Sequence, residues 1–111
     1  MIFVTGPLFS GKKEYIRNAL GLDEKDFADC AVWDVQEIAL CDNPVELADR
    51  LVEKRIVIAT EIGGGVVPVD PGERAKREAA GRLACLLAER ADTVIRVCCG
   101  LPQFLKGSLP G

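Results

Sequence analysis

Two glycines and a lysine near the start of the chain have the spacing of a phosphate-binding loop. Gly6 ends an apolar run, Gly11 follows five residues later, and Lys12 comes directly after it. Glycines at this spacing let the backbone curl so that successive N–H groups point inward, and a following helix N-terminus adds positive charge. The sequence therefore predicts a nucleotide-binding loop, in which Lys12 reaches the outer phosphates. Its residues are Gly6, Pro7, Leu8, Phe9, Ser10, Gly11, Lys12 and Lys13.

The residue after Lys12 departs from the usual pattern. A phosphate-binding loop has Ser or Thr there, because the hydroxyl ligates Mg²⁺, whereas this chain has Lys13. An ammonium group repels a metal cation and cannot coordinate it. The pattern thus favours nucleotide binding over the usual metal geometry. A glycine-rich turn with two solvated lysines remains the alternative interpretation.

A second acidic group is predicted at the end of another strand. The brief apolar run at residues 30–33 is closed by Asp34. The carboxyl end of a parallel strand is where a P-loop protein places its second metal-binding group, so Asp34 is a candidate ligand of Mg²⁺. An equally good interpretation is that Asp34 caps a helix beginning at Val35.

Strands and helices are predicted to alternate along the chain. Apolar runs at residues 2–4, 30–33, 56–60 and 93–97 predict strands, and helical patterns cover 13–20, 43–54 and 70 to about 90. Unbroken β-branched runs separated by helices indicate a parallel sheet covered on both faces. We expect residues 22–29 to form a connector with one or two helical turns, and the proline- and glycine-rich end of the tail at residues 103–111 to fray. The length fits a single domain spanning residues 1–111.

Composition excludes several classes of function. Apolar residues make up 49% of the chain and aromatic residues only 5%, so the core must be aliphatic. The net charge of −3, with both signs mixed, argues against a general nucleic-acid-binding surface. Five cysteines without a C-x-x-C pair, in a chain without histidine, lack the ligand spacing of a zinc site.

The cellular location is also an expectation from sequence. Met1 leads directly into a predicted core strand, which leaves no room for a leader peptide, and no apolar run approaches membrane-spanning length. We therefore expect a cytoplasmic protein without a membrane span, with its cysteines reduced.

Several motifs together resemble the adenosylcobinamide kinase/adenosylcobinamide-phosphate guanylyltransferase family of cobalamin biosynthesis. That family has a glycine-rich loop after a glutamate, a helix with paired arginines and a Gly-Leu-Pro tail with a lysine. The matching segments are Thr60-Glu-Ile-Gly-Gly-Gly-Val-Val-Pro68, Arg74-Ala-Lys-Arg77-Glu-Ala-Ala-Gly81-Arg82, Ala91-Asp92-Thr-Val, Gly100-Leu-Pro102 and Lys106-Gly107.

The resemblance implies a fold and partners. It implies a three-layer α/β P-loop fold of the RecA-like type, with a small, mainly parallel sheet of about four strands in the order 2-3-1-4. Its substrates would be ATP or GTP and a corrinoid, cobinamide. A homo-oligomer is expected, a trimer by resemblance.

The departures from the family suggest a reduced homologue. Family members are longer, and the missing material falls between the predicted loop helix and Asp34. The family draws from that region the histidine that carries the guanylyl group, and this chain has no histidine. Ala84 and Cys85 also stand where the family tends to have Asn-Gln.

The kinase half of the activity is therefore the one that the resemblance implies here. Lys12 would hold the β- and γ-phosphates, Glu61 would orient or deprotonate an acceptor hydroxyl, and Arg77 would offset charge on the transferred group. Asp34 would hold Mg²⁺ through water. A nucleotide-binding or sensor module without turnover is the alternative, and a structural remnant whose loop binds at most sulfate is a third.

Overall fold

The computed structural model describes residues 1–39, 43–62 and 70–109. Helices separate the first four strands, as predicted, and a fifth strand follows the fourth directly. The elements are β1 (Ile2–Gly6), α1 (Lys12–Leu20), α2 (Glu24–Cys30), β2 (Ala31–Val32), a 3₁₀ turn (Val35–Ile38), α3 (Pro44–Leu51), β3 (Ile56–Thr60), α4 (Pro71–Arg90), β4 (Thr93–Cys98) and β5 (Leu101–Lys106).

The strands form one sheet in the order β2-β3-β1-β4-β5. The first four are parallel, and Val4 of β1 is level with Ile58 of β3 and Ile95 of β4. The predicted α/β class and the order 2-3-1-4 are confirmed. This order brings the carboxyl ends of β3, β1 and β4 together at one edge of the sheet, where ligands bind in folds of this kind.

A fifth strand extends the sheet beyond the four strands that were predicted. β5 pairs antiparallel with β4, beginning from Cys98 opposite Leu101. The two turn residues between them, Cys99 and Gly100, have φ values of 53° and 74°. Positive φ at both central positions is what a two-residue hairpin needs to match the strand twist. A two-residue hairpin turn therefore holds residues 101–106 against β4, where the sequence pattern predicted no strand.

Side-chain alternation divides the core into two apolar layers, one on each face of the sheet. On one face α1 and α2 cover the strands through Ile16 and Phe27. On the other, α3 and α4 do so, with Leu47, Leu83 and Leu87 against the strands. The phosphate-loop helix and the arginine-rich helix α4 therefore lie on opposite sides of the sheet. None of the helices in the described residues has the length and apolarity needed to cross a bilayer.

Glycine and capping residues set the helix boundaries. α1 lies between two glycines in the left-handed region, Gly11 at φ 83° and Gly21 at φ 66°. Asn43 and Asp70 cap α3 and α4 with side-chain hydrogen bonds to backbone N–H groups. α2 has the length of the one or two helical turns predicted for this connector; Asp23 caps it and Phe27 is buried in the core.

Candidate nucleotide-binding site

The loop between β1 and α1 forms an open bend at the carboxyl edge of the sheet. Phe9 has a φ of 58° and Gly11 a φ of 83°, and the Ser10 carbonyl accepts a 2.8 Å hydrogen bond from the Gly100 N–H. Leu8 and Phe9 are 65% and 94% exposed, so neither side chain fills the bend. The β4–β5 turn therefore supports the loop from outside, and the bend stays open.

A cavity of about 220 Å³ lies between this loop and the ends of β2 and β3. Sites that enclose a whole small molecule usually exceed about 300 Å³. This cavity is therefore large enough for terminal phosphates and too small to enclose a nucleotide. Its lining includes Ser10, Lys12, Lys13, Trp33, Asp34 and Thr60.

The Lys12 ammonium lies inside the loop. Its Nζ donates to the Pro7 carbonyl at 2.7 Å and to Ser10 Oγ at 3.4 Å, and the residue is only 8% exposed. Burial lowers the pKa of Lys12, while the carboxylates of Asp34 and Glu61 act in the opposite direction. The structure thus brings three of the predicted site residues within electrostatic range of one another.

Lys13 lies over an aromatic ring beside the cavity. Its Nζ is 4.0 Å from the centroid of Trp33, and Trp33 stacks on Phe27 with centroids 5.7 Å apart. A cation over a tryptophan face gains about 0.5–1 kcal/mol at exposed sites. This contact holds a second positive charge over Trp33, the residue directly before Asp34.

Asp34 lines the loop cavity but does not cap the helical turn after it. It precedes the 3₁₀ turn with a φ of 56°, and its side chain makes no capping hydrogen bond. Gln36, which is buried, accepts from the Thr60 N–H at 2.9 Å through Oε1, and its Nε2 lies 3.5 Å from Asp34 Oδ1. Gln36 therefore connects the ends of β2 and β3, a role that no sequence signal indicated.

Two carboxylates line this cavity, the predicted ligand Asp34 and also Glu14. Mg²⁺ in nucleotide sites is commonly bound by one or two carboxylates, water and the phosphates, so the carboxylates of this lining are compatible with it. Within the described ranges, no group of three or more acidic or cysteine side chains is placed to hold a metal ion.

Glu61 forms a bidentate ion pair with Arg96, which the sequence did not predict. Arg96 Nη2 donates to Glu61 Oε1 at 2.8 Å, and Arg96 Nε donates to Oε2 at 2.9 Å. These hydrogen bonds are the main reason why the pKa of the Glu61 carboxyl lies below its usual range. The available signal was one arginine in the otherwise apolar run of β4.

Comparison with known proteins identifies the family. Residues 22–105 match the family model described as cobinamide kinase / cobinamide phosphate guanyltransferase. The chain belongs to this family. The matched segment starts after α1, so it contains Asp34, Glu61, Arg77 and Arg96 but not the predicted phosphate-binding loop at residues 6–13.

A curated relative supports the same assignment. The bifunctional adenosylcobalamin biosynthesis protein CobP of Pseudomonas aeruginosa is 33% identical over 89 residues, which cover 71% of this chain and 51% of the relative. The chain thus spans about half the length of the curated relative it matches.

Lys106 and Gly107, which belong to the motifs shared with the cobinamide kinase family, have structural roles. Lys106 Nζ donates to the Ala88 and Glu89 carbonyls at 3.3 and 3.0 Å, which caps the end of α4. A Cβ at Gly107, whose φ is 67°, would overlap the Asp92 carbonyl oxygen. These residues therefore hold the tail to the end of α4, away from the loop.

Arg77 lies on α4, in the helical layer opposite α1. Its neighbour Lys76 lies 3.7 Å from Glu37 of the 3₁₀ turn, so this part of α4 is near the segment that follows Asp34. Its role at the phosphates remains a prediction. The glycine-rich segment after Ile62, which carries part of the family resemblance, lies outside the described residues.

Proposed function

We propose that the loop at residues 6–13 binds the terminal phosphates of ATP or GTP, and that the protein transfers a phosphoryl group to a hydroxyl of a corrinoid such as cobinamide. The main support is the Lys12 ammonium, buried in the loop with Asp34 and Glu61 acting on it, in a member of the cobinamide kinase family. Phosphate oxygens would replace the Pro7 carbonyl as partners of Lys12.

In the proposed reaction, positioning and charge stabilisation supply most of the catalysis. The oxygen of the acceptor hydroxyl forms a bond to the γ-phosphorus, and its proton is released to water. The bond from that phosphorus to the bridging oxygen breaks, with its electron pair leaving on the nucleoside diphosphate. Lys12 offsets charge on the β- and γ-phosphates, and Arg77 would offset charge on the transferred group from the α4 side.

Mg²⁺ would add charge neutralisation at the phosphates. Asp34 would hold it through water, with the remaining ligands from water and the nucleotide. Guanylyl transfer is not part of the proposal, because the resemblance implies a histidine as the covalent carrier and the sequence contains none.

A second candidate function is a nucleotide-binding or sensor module without turnover. The observation that favours it is Lys13, whose ammonium is held on Trp33 beside the cavity, in the position after the loop lysine where a metal-binding hydroxyl is usual. An ammonium near the phosphates would substitute for part of the metal charge. This function predicts nucleotide affinity that is indifferent to EDTA, with no phosphoryl transfer.

Binding isotherms and a transfer assay separate these functions. ATP and GTP are titrated into the parent protein and the Lys12→Ala variant, with Mg²⁺ and with EDTA, and phosphoryl transfer to cobinamide is measured. Lys25→Ala is the matched control, because Lys25 is an exposed lysine on α2. We expect Lys12→Ala to weaken binding at least about tenfold, which corresponds to about 1.4 kcal/mol, and Lys25→Ala to leave it unchanged. Equal affinity of the parent and Lys12→Ala would contradict both functions.

We also propose, from the resemblance alone, that the chain assembles as a homo-oligomer, with a trimer expected. Light scattering of the purified protein tests this directly. A monomer at all concentrations would contradict it.

A further inference from the structure

The ends of three adjacent strands bring Arg96 and Glu61 together. Arg96 is level with Thr5 of β1, and the N–H of Glu61 donates to the Gly6 carbonyl at 2.8 Å. Because β1 lies between β3 and β4, the Arg96–Glu61 pair spans the end of β1, directly before the phosphate loop.

Strand alternation places Arg96 on the α4 side of the sheet. Val94 packs in the core layer of α3 and α4, whereas Ile95 and Val97 pack in the layer of α1 and α2. Arg96 therefore shares a face with Val94. Glu61 borders a cavity of about 140 Å³ on this side, which α4 also lines. Thr60 lines both this cavity and the loop cavity, so the end of β3 lies between the two.

The pairing restricts what the Glu61 carboxylate can do. A carboxylate offers about four lone-pair directions. Arg96 donates two hydrogen bonds to Oε1, at 2.8 and 3.2 Å, and one to Oε2 at 2.9 Å. The acceptor direction that remains for a substrate hydroxyl is therefore on Oε2. Protonation of Glu61 would cancel its charge and leave Arg96 without its partner, which disfavours a proton-accepting role.

We propose that Arg96 is a positioning residue that clamps Glu61 across the end of β1, so that Glu61 acts as a fixed hydrogen-bond acceptor for the incoming hydroxyl and not as the base that removes its proton. The hydroxyl reaches Glu61 from the α4-side cavity, and its proton passes to water during transfer. The role of Glu61 towards the hydroxyl rests on the proposed phosphoryl transfer. The contact by which Arg96 holds Glu61 does not depend on that function.

The first test needs no activity. The carboxyl carbon of Glu61 is followed by ¹³C NMR during pH titration of the parent, Arg96→Gln and Arg96→Lys. Charged and titratable groups near Glu61 are Arg96 and Cys98 on β4 and Lys12 on α1. We expect the Glu61 midpoint to move to higher pH in Arg96→Gln and to return towards the parent value in Arg96→Lys. An unchanged midpoint in Arg96→Gln would overturn the clamp.

The second test distinguishes an acceptor from a base. Removing Arg96 makes Glu61 more basic, so a base would keep or increase kcat, whereas a released acceptor would lose its geometry. We expect Arg96→Gln to lower kcat about tenfold or more at pH 7.5, with the Kd of the nucleotide unchanged. A kcat equal to or above that of the parent would overturn the proposal.

Arg90→Gln is the matched control for loss of an ion pair. Arg90 Nη1 lies 2.8 Å from Asp49 Oδ1 between α4 and α3, away from the strand ends. It should leave kcat unchanged, and an equal loss in both variants would overturn a specific role for Arg96. If the parent transfers no phosphoryl group, the proposed kinase function fails, and the NMR titration still decides the clamp.

Discussion

The Cα of Gly6 packs so closely against the Val97 carbonyl oxygen of the neighbouring strand that a Cβ at position 6 would overlap it. The same Cβ would lie 3.0 Å from Ser10 Oγ, and Gly6 has a φ of 153°. The first glycine of the phosphate loop is thus required by the sheet itself, independently of any ligand.

Gly6→Ala should destabilise the protein. Either the Val97 strand or the loop must shift, and overpacking of this kind typically costs about 1–3 kcal/mol. Urea denaturation measures the change in the free energy of unfolding. Gly81→Ala is the control, because its Cβ would meet nothing within 4 Å on α4, and it should gain up to about 1 kcal/mol. A Gly6→Ala variant as stable as the parent would show that the loop does not pack as described.

Nucleotide affinity should fall at alkaline pH because of Lys12. Burial lowers the pKa of this ammonium below its ordinary value of 10.5, so it loses its proton at a lower pH than an exposed lysine does. The attraction for phosphate is present below the pKa of Lys12 in the free protein and is lost as the pH rises through it. ATP titrations across the alkaline range, with folding checked by circular dichroism, measure the effect.

Lys12→Ala serves as the control for that titration. Its weaker ATP affinity should show no such alkaline fall. A fall of the same size in both proteins would mean that another group is titrating.

Trp33 should report on binding at the loop. It is the single tryptophan of the sequence, and Lys13 lies over its ring beside the cavity. Phosphates that attract Lys13 would change the environment of the indole, so ATP should change Trp33 fluorescence in the parent and much less in Lys13→Met. Lys25→Met should keep the full response. ATP binding by calorimetry without a fluorescence change in the parent would contradict this placement.

Lys106 should matter for stability and not for the nucleotide. Its ammonium caps the carboxyl end of α4, where a cation contributes about 0.3–1 kcal/mol. We expect Lys106→Met to lower the free energy of unfolding by about this amount and to leave ATP affinity unchanged. Lys25→Met, near the start of α2, should not destabilise. A loss of ATP affinity in a stable Lys106→Met variant would assign this motif lysine to the site.

Much of the fold was predictable because its signals are local. Apolar runs such as that of β3, ended by turn residues and separated by capped helices, indicated the parallel sheet, and the family resemblance supplied the strand order. β5 was missed because all six of its residues are exposed, so it shows no alternation of apolar and polar side chains. A proline at position 102 also argued against a strand.

The site was only partly predictable because its geometry depends on residues far apart in the chain. The family resemblance indicated Glu61, but its partner Arg96 lies 35 residues further along the chain. The two side chains meet because β3 and β4 are the neighbours of β1 on either side. No sequence pattern indicated Gln36, because its role is a hydrogen bond to the Thr60 N–H, 24 residues further along the chain. Such contacts follow from strand order, which has to be known first.

The most direct test of the account follows the backbone amides of the loop by ¹⁵N NMR while ATP is titrated into the parent protein. If the loop holds the terminal phosphates, the largest chemical-shift changes should fall on the amides of residues 8–13, and pyrophosphate should reproduce most of them. Changes confined to other parts of the protein, or none at all at millimolar ATP, would contradict the account.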